Sequence, residues 1–280
     1  MFRIKYPTTQ TEPPLSPRET LPTMYDLPSE NPEDPGLPDE FHILQPELLR
    51  HTFRSPKYPP EQVFAGSDMN LYYDVHHHNW YKRPDWFGVV GVSRLYDGED
   101  LRLSYVIWQE GVTPFVVVEL LSPGTEKEDL GATEASGEEP PTKWQVYEQI
   151  LRVPYYVVFS RYTNQLRVWT LQGGRYQELN LGEPKIWLEE LGLGLGLWLG
   201  DYQGINRLWL RWYDALGAWI PTEAEAERER AEAERERAAV ATAQAEAAIK
   251  QVELQRQRAE AAEAKAEELA RRLREMGIEL

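Results

Sequence analysis

A run of strand length that is apolar except for one carboxylate sets the terms for the rest of the chain. Residues 115–121 read Phe-Val-Val-Val-Glu-Leu-Leu. A β-branched and aromatic run of this kind predicts a strand covered on both faces. Glu119 is the residue that breaks it. A charge stranded in a core strand is costly unless it is paired, protonated or bound to a cation. A metal ion is the obvious candidate for that cation.

A second acid stands at the mouth of another apolar strand. In residues 81–92, YKRPDWFGVVGV, Pro84 fixes an extended entry and Asp85 opens a run of Trp86, Phe87, Val89, Val90 and Val92. If the two strands pair, Asp85 and Glu119 point into one cleft. Two converging carboxylates repel unless Mg²⁺ or Mn²⁺ lies between them, held by the carboxylates, water and a substrate phosphate. The third element is a lysine, and Lys143 opens the helix expected at 143–152, KWQVYEQILR.

Pro84-Asp85, the E-L-L-S-P-G-T of Glu119–Thr125, Asp129, the K-x-x-x-Y step at Lys143 and Tyr147, and the V-P-Y-Y-V-V-F of Val153–Phe159 together resemble the Uma-two family. That family consists of restriction-endonuclease-like proteins of the PD-(D/E)XK nuclease superfamily. The resemblance is good from Leu71 to Leu181 and less specific outside it. It implies an α/β fold, a restriction-endonuclease-like core with a mixed central β-sheet flanked by helices. It also implies a divalent-metal-dependent endonuclease that hydrolyses DNA phosphodiester bonds with Mg²⁺ or Mn²⁺. Asp85 and Glu119 would be the metal ligands, and Asp85, Glu119 and Lys143 the catalytic set. The superfamily pattern puts a lysine two residues after the glutamate, where this chain has Leu121. The family commonly shows an apolar residue there and draws its lysine from the next helix, which assigns the role to Lys143. Asp129 matches a family position, either touching the metal through water or lying solvated among the acids of its loop.

The charge balance pulls the other way. Net charge is −16, and the last stretch, from Thr222, carries 15 Glu against 11 Lys plus Arg, so most of the excess lies upstream. Nucleic-acid binders usually show a basic footprint. Here only Lys82, Arg83, Arg161 and Arg167 offer a local rim. The acidic balance, Leu121 and a long C-terminal helix together sustain a second reading: a catalytically inactive nuclease-fold protein that acts as a binding scaffold and assembles through that helix. Cysteine is absent, which excludes disulfides, thiolate zinc sites and thiol nucleophiles. No Walker loop, G-x-S-x-G or dinucleotide glycine pattern occurs. No secretory leader or membrane-length apolar run is present, so a cytoplasmic location without membrane contact is expected.

Three segments follow from composition: an extended or disordered arm at 1–40, the nuclease-like domain at 41–220 and a helical extension at 221–280. In the domain, residues 44–54 predict a first helix with Pro46 in its first turn. Its Glu47 reads as an exposed first-turn acid, with a cleft-facing position as the alternative. Residues 69–75 read as a half-buried strand that leads into His76, His77 and His78, a polar loop in preference to a metal site. Residues 101–108 read as a further strand, and 123–142 as a long acidic loop. Strands are expected at 155–160, 165–171 and 175–179, the last two joined as a hairpin at Gly173-Gly174. Alternating Leu and Gly in residues 189–219 suggests a strand pair at the core edge, with base stacking beside Arg207 and Arg211 as the alternative. In the tail, Ala231, Ala238, Ala245, Val252, Ala259, Ala266 and Leu273 fall on one heptad position, and Glu234, Ala241, Ala248, Gln255, Ala262, Leu269 and Met276 on another. This pattern fits a candidate coiled coil that would join copies of the chain into a homo-oligomer. The alanine-rich seam buries little area, so a single charged helix is the competing reading.

Overall fold

The structure is a computed structural model, and it describes residues 39–122, 126–133 and 139–275. The arm expected at 1–40 lies outside these apart from its last two residues. Those two belong to a helix: Asp39 is the N-cap of α1 (Glu40–Thr52), its carboxylate accepting from the His42 amide at 2.8 Å. The helix therefore starts four residues before the expected point, and Pro46 lies inside it instead of in its first turn.

A short 3₁₀ turn (Pro60–Gln62) leads into β1 (Val63–Gly66), followed by the two-residue strands β2 (Leu71–Tyr72) and β3 (Tyr81–Lys82) and then β4 (Trp86–Val90). The strand expected at 101–108 is only β5 (Tyr105–Val106), which runs directly into α2 (Ile107–Glu110). Leu101 and Leu103 are 67% and 98% exposed, so the alternation that suggested a strand buries nothing on that side. Next come β6 (Val116–Leu120), α3 (Glu126–Asp129) and α4 (Lys143–Gln145), the last continuing as a π turn over Val146–Ile150. The expected helix at 143–152 is thus one helical segment with a widened second half. It ends at Arg152, which takes a left-handed φ of 54°. The rest of the core is β7 (Tyr155–Ser160), β8 (Gln165–Gln172), β9 (Arg175–Glu178), β10 (Lys185–Leu188), β11 (Leu193–Tyr202) and β12 (Ile205–Tyr213). Gly173 and Gly174 both have positive φ at the β8–β9 turn, the geometry a two-residue hairpin needs.

The central sheet has the order β1-β4-β6-β7-β8-β9 and is mixed, with β6 and β7 parallel and its other pairs antiparallel. Every residue of β6 is buried, as its composition predicts. Alternation splits the sheet into two apolar faces. Trp86, Val116, Val118, Leu120, Val157 and Phe159 pack with α1 and the β10-β11-β12 sheet. Phe87, Val89, Val117, Tyr156 and Val158 pack with Val146, Tyr147 and Leu151 of the helical segment and with Leu71 and Tyr105 of the small β3-β2-β5 sheet. The fold is mixed α/β, with helices on both faces of a mixed sheet.

The Leu-Gly alternation at 189–219 resolves as the strand pair β11–β12. A Cβ on Gly194 would meet the ring of Tyr213, its partner across the ladder, and one on Gly200 the ring of Trp198, so these two glycines admit aromatic rings onto the strand. Arg211 is buried, donates to the Ile220 carbonyl at 2.8 Å and lies 4.2 Å from the Trp198 ring, so it is not offered to bases.

The chain divides into two compact units, residues 1–222 and 223–280. The second contains α5 (Glu223–Glu275), a 53-residue helix with no buried residue. Ion pairs such as Arg256–Glu260 at 2.9 Å and Arg272–Glu268 at 2.9 Å brace its C-terminal part. Among the described residues no helix is long and apolar enough to cross a membrane.

Candidate active site

Strand register does most of the assembly. β4 pairs antiparallel with β6 so that Trp86 faces Val118. One further step along both strands sets Asp85 opposite Glu119, on the face that carries Phe87 and Val117. Each acid touches the other's strand: the Leu120 amide donates to Asp85 Oδ2 at 2.6 Å, and the Asp85 amide lies 3.4 Å from Glu119 Oε2. The parallel neighbour β7 places Val158 beside Glu119 and Phe159 beside Leu120.

The third group arrives from the helix that crosses this face. Thr142 caps α4 in a capping box with Gln145, and the first amide of the helix, Lys143 N, donates to Glu128 Oε1 at 3.0 Å. Lysine in a first turn opposes the helix dipole. Its ammonium turns inward, 3.0 Å from Glu119 Oε2 and 2.8 Å from Asp129 Oδ1. One turn on, the Tyr147 hydroxyl donates to the other oxygen of Glu119 at 2.9 Å. The K-x-x-x-Y step is therefore a clamp on a single carboxylate, since residues four apart share a helix face.

Asp129 is not the solvated acid expected of its loop. It is 1% exposed, and its α3 helix is held in place by Tyr156, whose hydroxyl donates to the Asp129 carbonyl at 2.8 Å. Asp129 Oδ2 is buried without a hydrogen-bond partner. Glu119 is 0% exposed. Burial, reinforced by the nearby Asp129 and Asp85 charges and opposed by Lys143, pushes the Glu119 carboxyl well above the usual range. Asp85 is raised in the same way, by burial first, against Lys143 and His42. Burial alone would lower Lys143, but Glu119, Asp129 and Asp85 outweigh it and hold the ammonium well above its ordinary value.

The other sequence candidates stand elsewhere. Glu47 is paired with none of Asp85, Glu119 or Lys143 among the described residues; the α1 side chain that reaches the site is His42, whose Nε2 lies 3.2 Å from the Leu120 carbonyl. Nothing in the local sequence marked that histidine. His77 bonds Asp74 at 2.8 Å and stacks on Trp80 at 3.8 Å, as a polar loop would. Of the rim candidates, Lys82 pairs with Glu128, Arg83 with Asp68, Arg161 with Asp39 and Arg167 with Glu178. The Ser-Pro-Gly-Thr part of the motif after Leu121 falls largely outside the described residues.

The donor set suits a hard cation. Three carboxylates, Asp85, Glu119 and Asp129, face one ammonium, so two negative charges are left over when all are ionised, and Asp129 keeps one buried oxygen unpartnered. Oxygen donors and a residual charge of −2 match Mg²⁺ or Mn²⁺. Among the described residues, no group of three or more His, Asp or Glu side chains already converges on a metal position. The Lys143 ammonium lies between Glu119 and Asp129, while Asp85 and Glu119 stand opposite each other on paired strands.

A family model, Uma2, described as "Putative restriction endonuclease", matches residues 24–201. Among solved structures the chain is similar to a crystal structure described as a "putative nuclease belonging to DUF820" from Anabaena variabilis, at 11% identity and a TM-score of 0.40, covering 56% of this chain and 76% of that one. No curated protein matches.

Proposed function

The chain belongs to the Uma2 family, and on that membership together with the buried carboxylate–lysine cluster we propose that it is a divalent-metal-dependent endonuclease that hydrolyses phosphodiester bonds of DNA. The observation that carries the reading is Lys143, whose ammonium bridges Glu119 and Asp129 on the face that also holds Asp85. A cluster of this kind is expensive to bury, and its oxygens converge at the end of β6 without contributing to the apolar core.

Asp85 and Glu119 would hold the divalent ion. Bound there, such an ion supplies a water of lowered pKa and neutralises charge on the scissile phosphate. The Leu120 amide fixes Asp85 and the Tyr147 hydroxyl fixes Glu119, so both donors are oriented before substrate arrives. Lys143 remains a cation near neutral pH and so acts as a donor, not as a general base. Two of its three N–H groups are used by Glu119 and Asp129; the third, which has no partner among the described residues, would orient an attacking water or hold a phosphoryl oxygen as charge builds. Leu121 at the usual lysine position therefore does not speak for a decayed site, because the ammonium reaches Glu119 from the helix.

Incubation of plasmid DNA with the full chain and Mg²⁺ or Mn²⁺ tests the proposal. Cleavage is expected from the wild type and is lost in Asp85→Asn and Glu119→Gln. An inactive scaffold gives no cleavage with any divalent ion, and cleavage undiminished in either variant removes these residues from the mechanism.

A further inference from the structure

None of the 53 residues of α5 is buried, and Ile249, Val252 and Leu269 stand 68%, 66% and 61% exposed. At 1.5 Å per residue such a helix is about 80 Å long. The ion pairs of Arg256, Arg271 and Arg272 lie towards its C-terminus, whereas residues 238–249, AAVATAQAEAAI, hold Glu246 as their one charge. Helices in proteins draw most of their stability from packing an apolar face. In α5 that face is the heptad seam, where Val252, Leu269 and Leu273 recur among alanines; Val240 and Leu254 fall off it.

The seam residues indicate what covers it. Alanine lets two helices approach to the short end of the usual range of about 8–10 Å, but leaves the wider centre of a larger bundle unfilled. Gln255 is the polar residue in the middle of the seam. In a parallel pair it faces its own copy, and the two amides can bond each other. In an antiparallel pair each amide faces Ala245 and has no partner within the seam. The flanking charges agree. One edge of the seam carries Arg230, Arg237, Arg258, Lys265 and Arg272, with glutamine at its two other places and no acid. Antiparallel helices set this edge against itself, so that Arg237 meets Lys265 and Arg230 meets Arg272, with Arg235 and Glu263 as the one opposite pair. Parallel helices set it against the other edge, where Arg258 meets Glu263. The like pair that remains, Arg230 and Arg235, flanks Glu234 in the seam, and the Glu234 carboxylates offset it.

We propose that α5 pairs with α5 of a second copy of this chain as a parallel, in-register, two-stranded coiled coil. Because the first compact unit ends where the helix begins, this pairing brings the first units of both copies to one end of the coil. An antiparallel pair would hold them at opposite ends, about 80 Å apart. The pairing itself does not depend on the endonuclease reading. On that reading, it tethers two carboxylate–lysine sites to one stretch of DNA.

The chain has no cysteine, so one introduced thiol reports on one contact. Ala238→Cys and Ala262→Cys, both on the seam, are made in the full chain and oxidised mildly without DNA or metal. Each variant alone is expected to give a disulfide-linked dimer, because a parallel pair sets each position beside its own copy, within reach of the Cβ separation of about 3.5–4.5 Å that a disulfide needs. An antiparallel pair links them only when the two variants are mixed. Ala243→Cys, on the far side of the helix, should link at least about tenfold more slowly. Sedimentation of the wild type should give a dimer, and Val252→Glu, which puts two carboxylates into the seam, should raise its dissociation constant on the order of tenfold or more. Linkage only on mixing, equal linkage of Ala243→Cys, or a wild type that sediments as a monomer or a larger bundle overturns the proposal. The two readings fail separately. A chain that links but cuts no DNA keeps the coil and removes the endonuclease, and one that cuts as a monomer does the reverse.

Discussion

Lys143→Met is the most informative single change. Methionine keeps much of the apolar stem and deletes the ammonium that lies 3.0 Å from Glu119 and 2.8 Å from Asp129, side chains exposed by 0% and 1%. Removing one partner of a buried ion pair costs about 3–5 kcal/mol, and here two carboxylates lose the same partner. Proton uptake limits the cost, since Glu119 is already pushed towards its neutral form. The lower end, about 3 kcal/mol, is therefore expected at about pH 8 in the metal-free protein. For a unit of this size each kcal/mol moves Tm by about 2–4 °C, so the variant should melt about 6–12 °C below the wild type. The deficit should shrink at about pH 5, where a protonated Glu119 no longer needs the ammonium. Circular dichroism melts in EDTA at both pH values measure this directly. DNA cleavage should fall by roughly 100-fold or more, the usual effect of losing one preorganised donor. A variant that melts at or above the wild type at the higher pH would refute the reasoning, because the ammonium would then not be compensating buried charge.

Glu119→Gln should change the shape of the stability curve. The folded pKa of Glu119 is raised, so the native state holds this proton more tightly than the unfolded chain does. Its contribution is complete below the ordinary glutamate value and is lost as pH rises through the raised one. The metal-free wild type should thus lose Tm across that window while the Gln variant does not, and parallel Tm curves would contradict this. A chain ending at Thr222, the limit of the first compact unit, should melt within about 2 °C of the full chain, because α5 has no buried residue. Sedimentation of the two chains reads out the oligomer role of α5, and identical monomeric behaviour would remove it. Gly88→Ala should cost about 1–3 kcal/mol in chemical denaturation, since a Cβ there would lie 2.7 Å from Trp86 and 2.8 Å from Phe53; an unchanged midpoint would show that this layer repacks freely.

Much of the scaffold was legible in the residues. The apolar runs at 86–90 and 116–120 are strands because they bury both faces, and the Gly173-Gly174 hairpin follows from a turn that needs two positive φ angles. Glu119 stood out because a lone carboxylate in such a run requires a partner, and the long tail helix was written in Ala, Glu and Arg. Where local pattern misled, burial was the missing information. Residues 101–104 alternate like a strand, yet Leu103 stays 98% exposed and only Tyr105 and Val106 pair, alongside Leu71 and Tyr72. The start of α1 was missed because an aspartate cap lay at the edge of a proline-rich stretch.

The sequence by itself determined the core strands at 86–90 and 116–120 and the tail helix, and it made a buried acid inevitable, because alternation and apolar content act over a few neighbouring positions. The partners of that acid were settled by tertiary structure. Asp85 meets Glu119 through antiparallel register, Lys143 and Tyr147 reach it from a helix laid across the sheet, and Asp129 is drawn from a loop into full burial. His42, Asp39 and Arg161 come together from two elements far apart in the chain. Contacts of this kind depend on how distant segments dock, a choice made by the burial of whole faces at once, and no short window of sequence contains it.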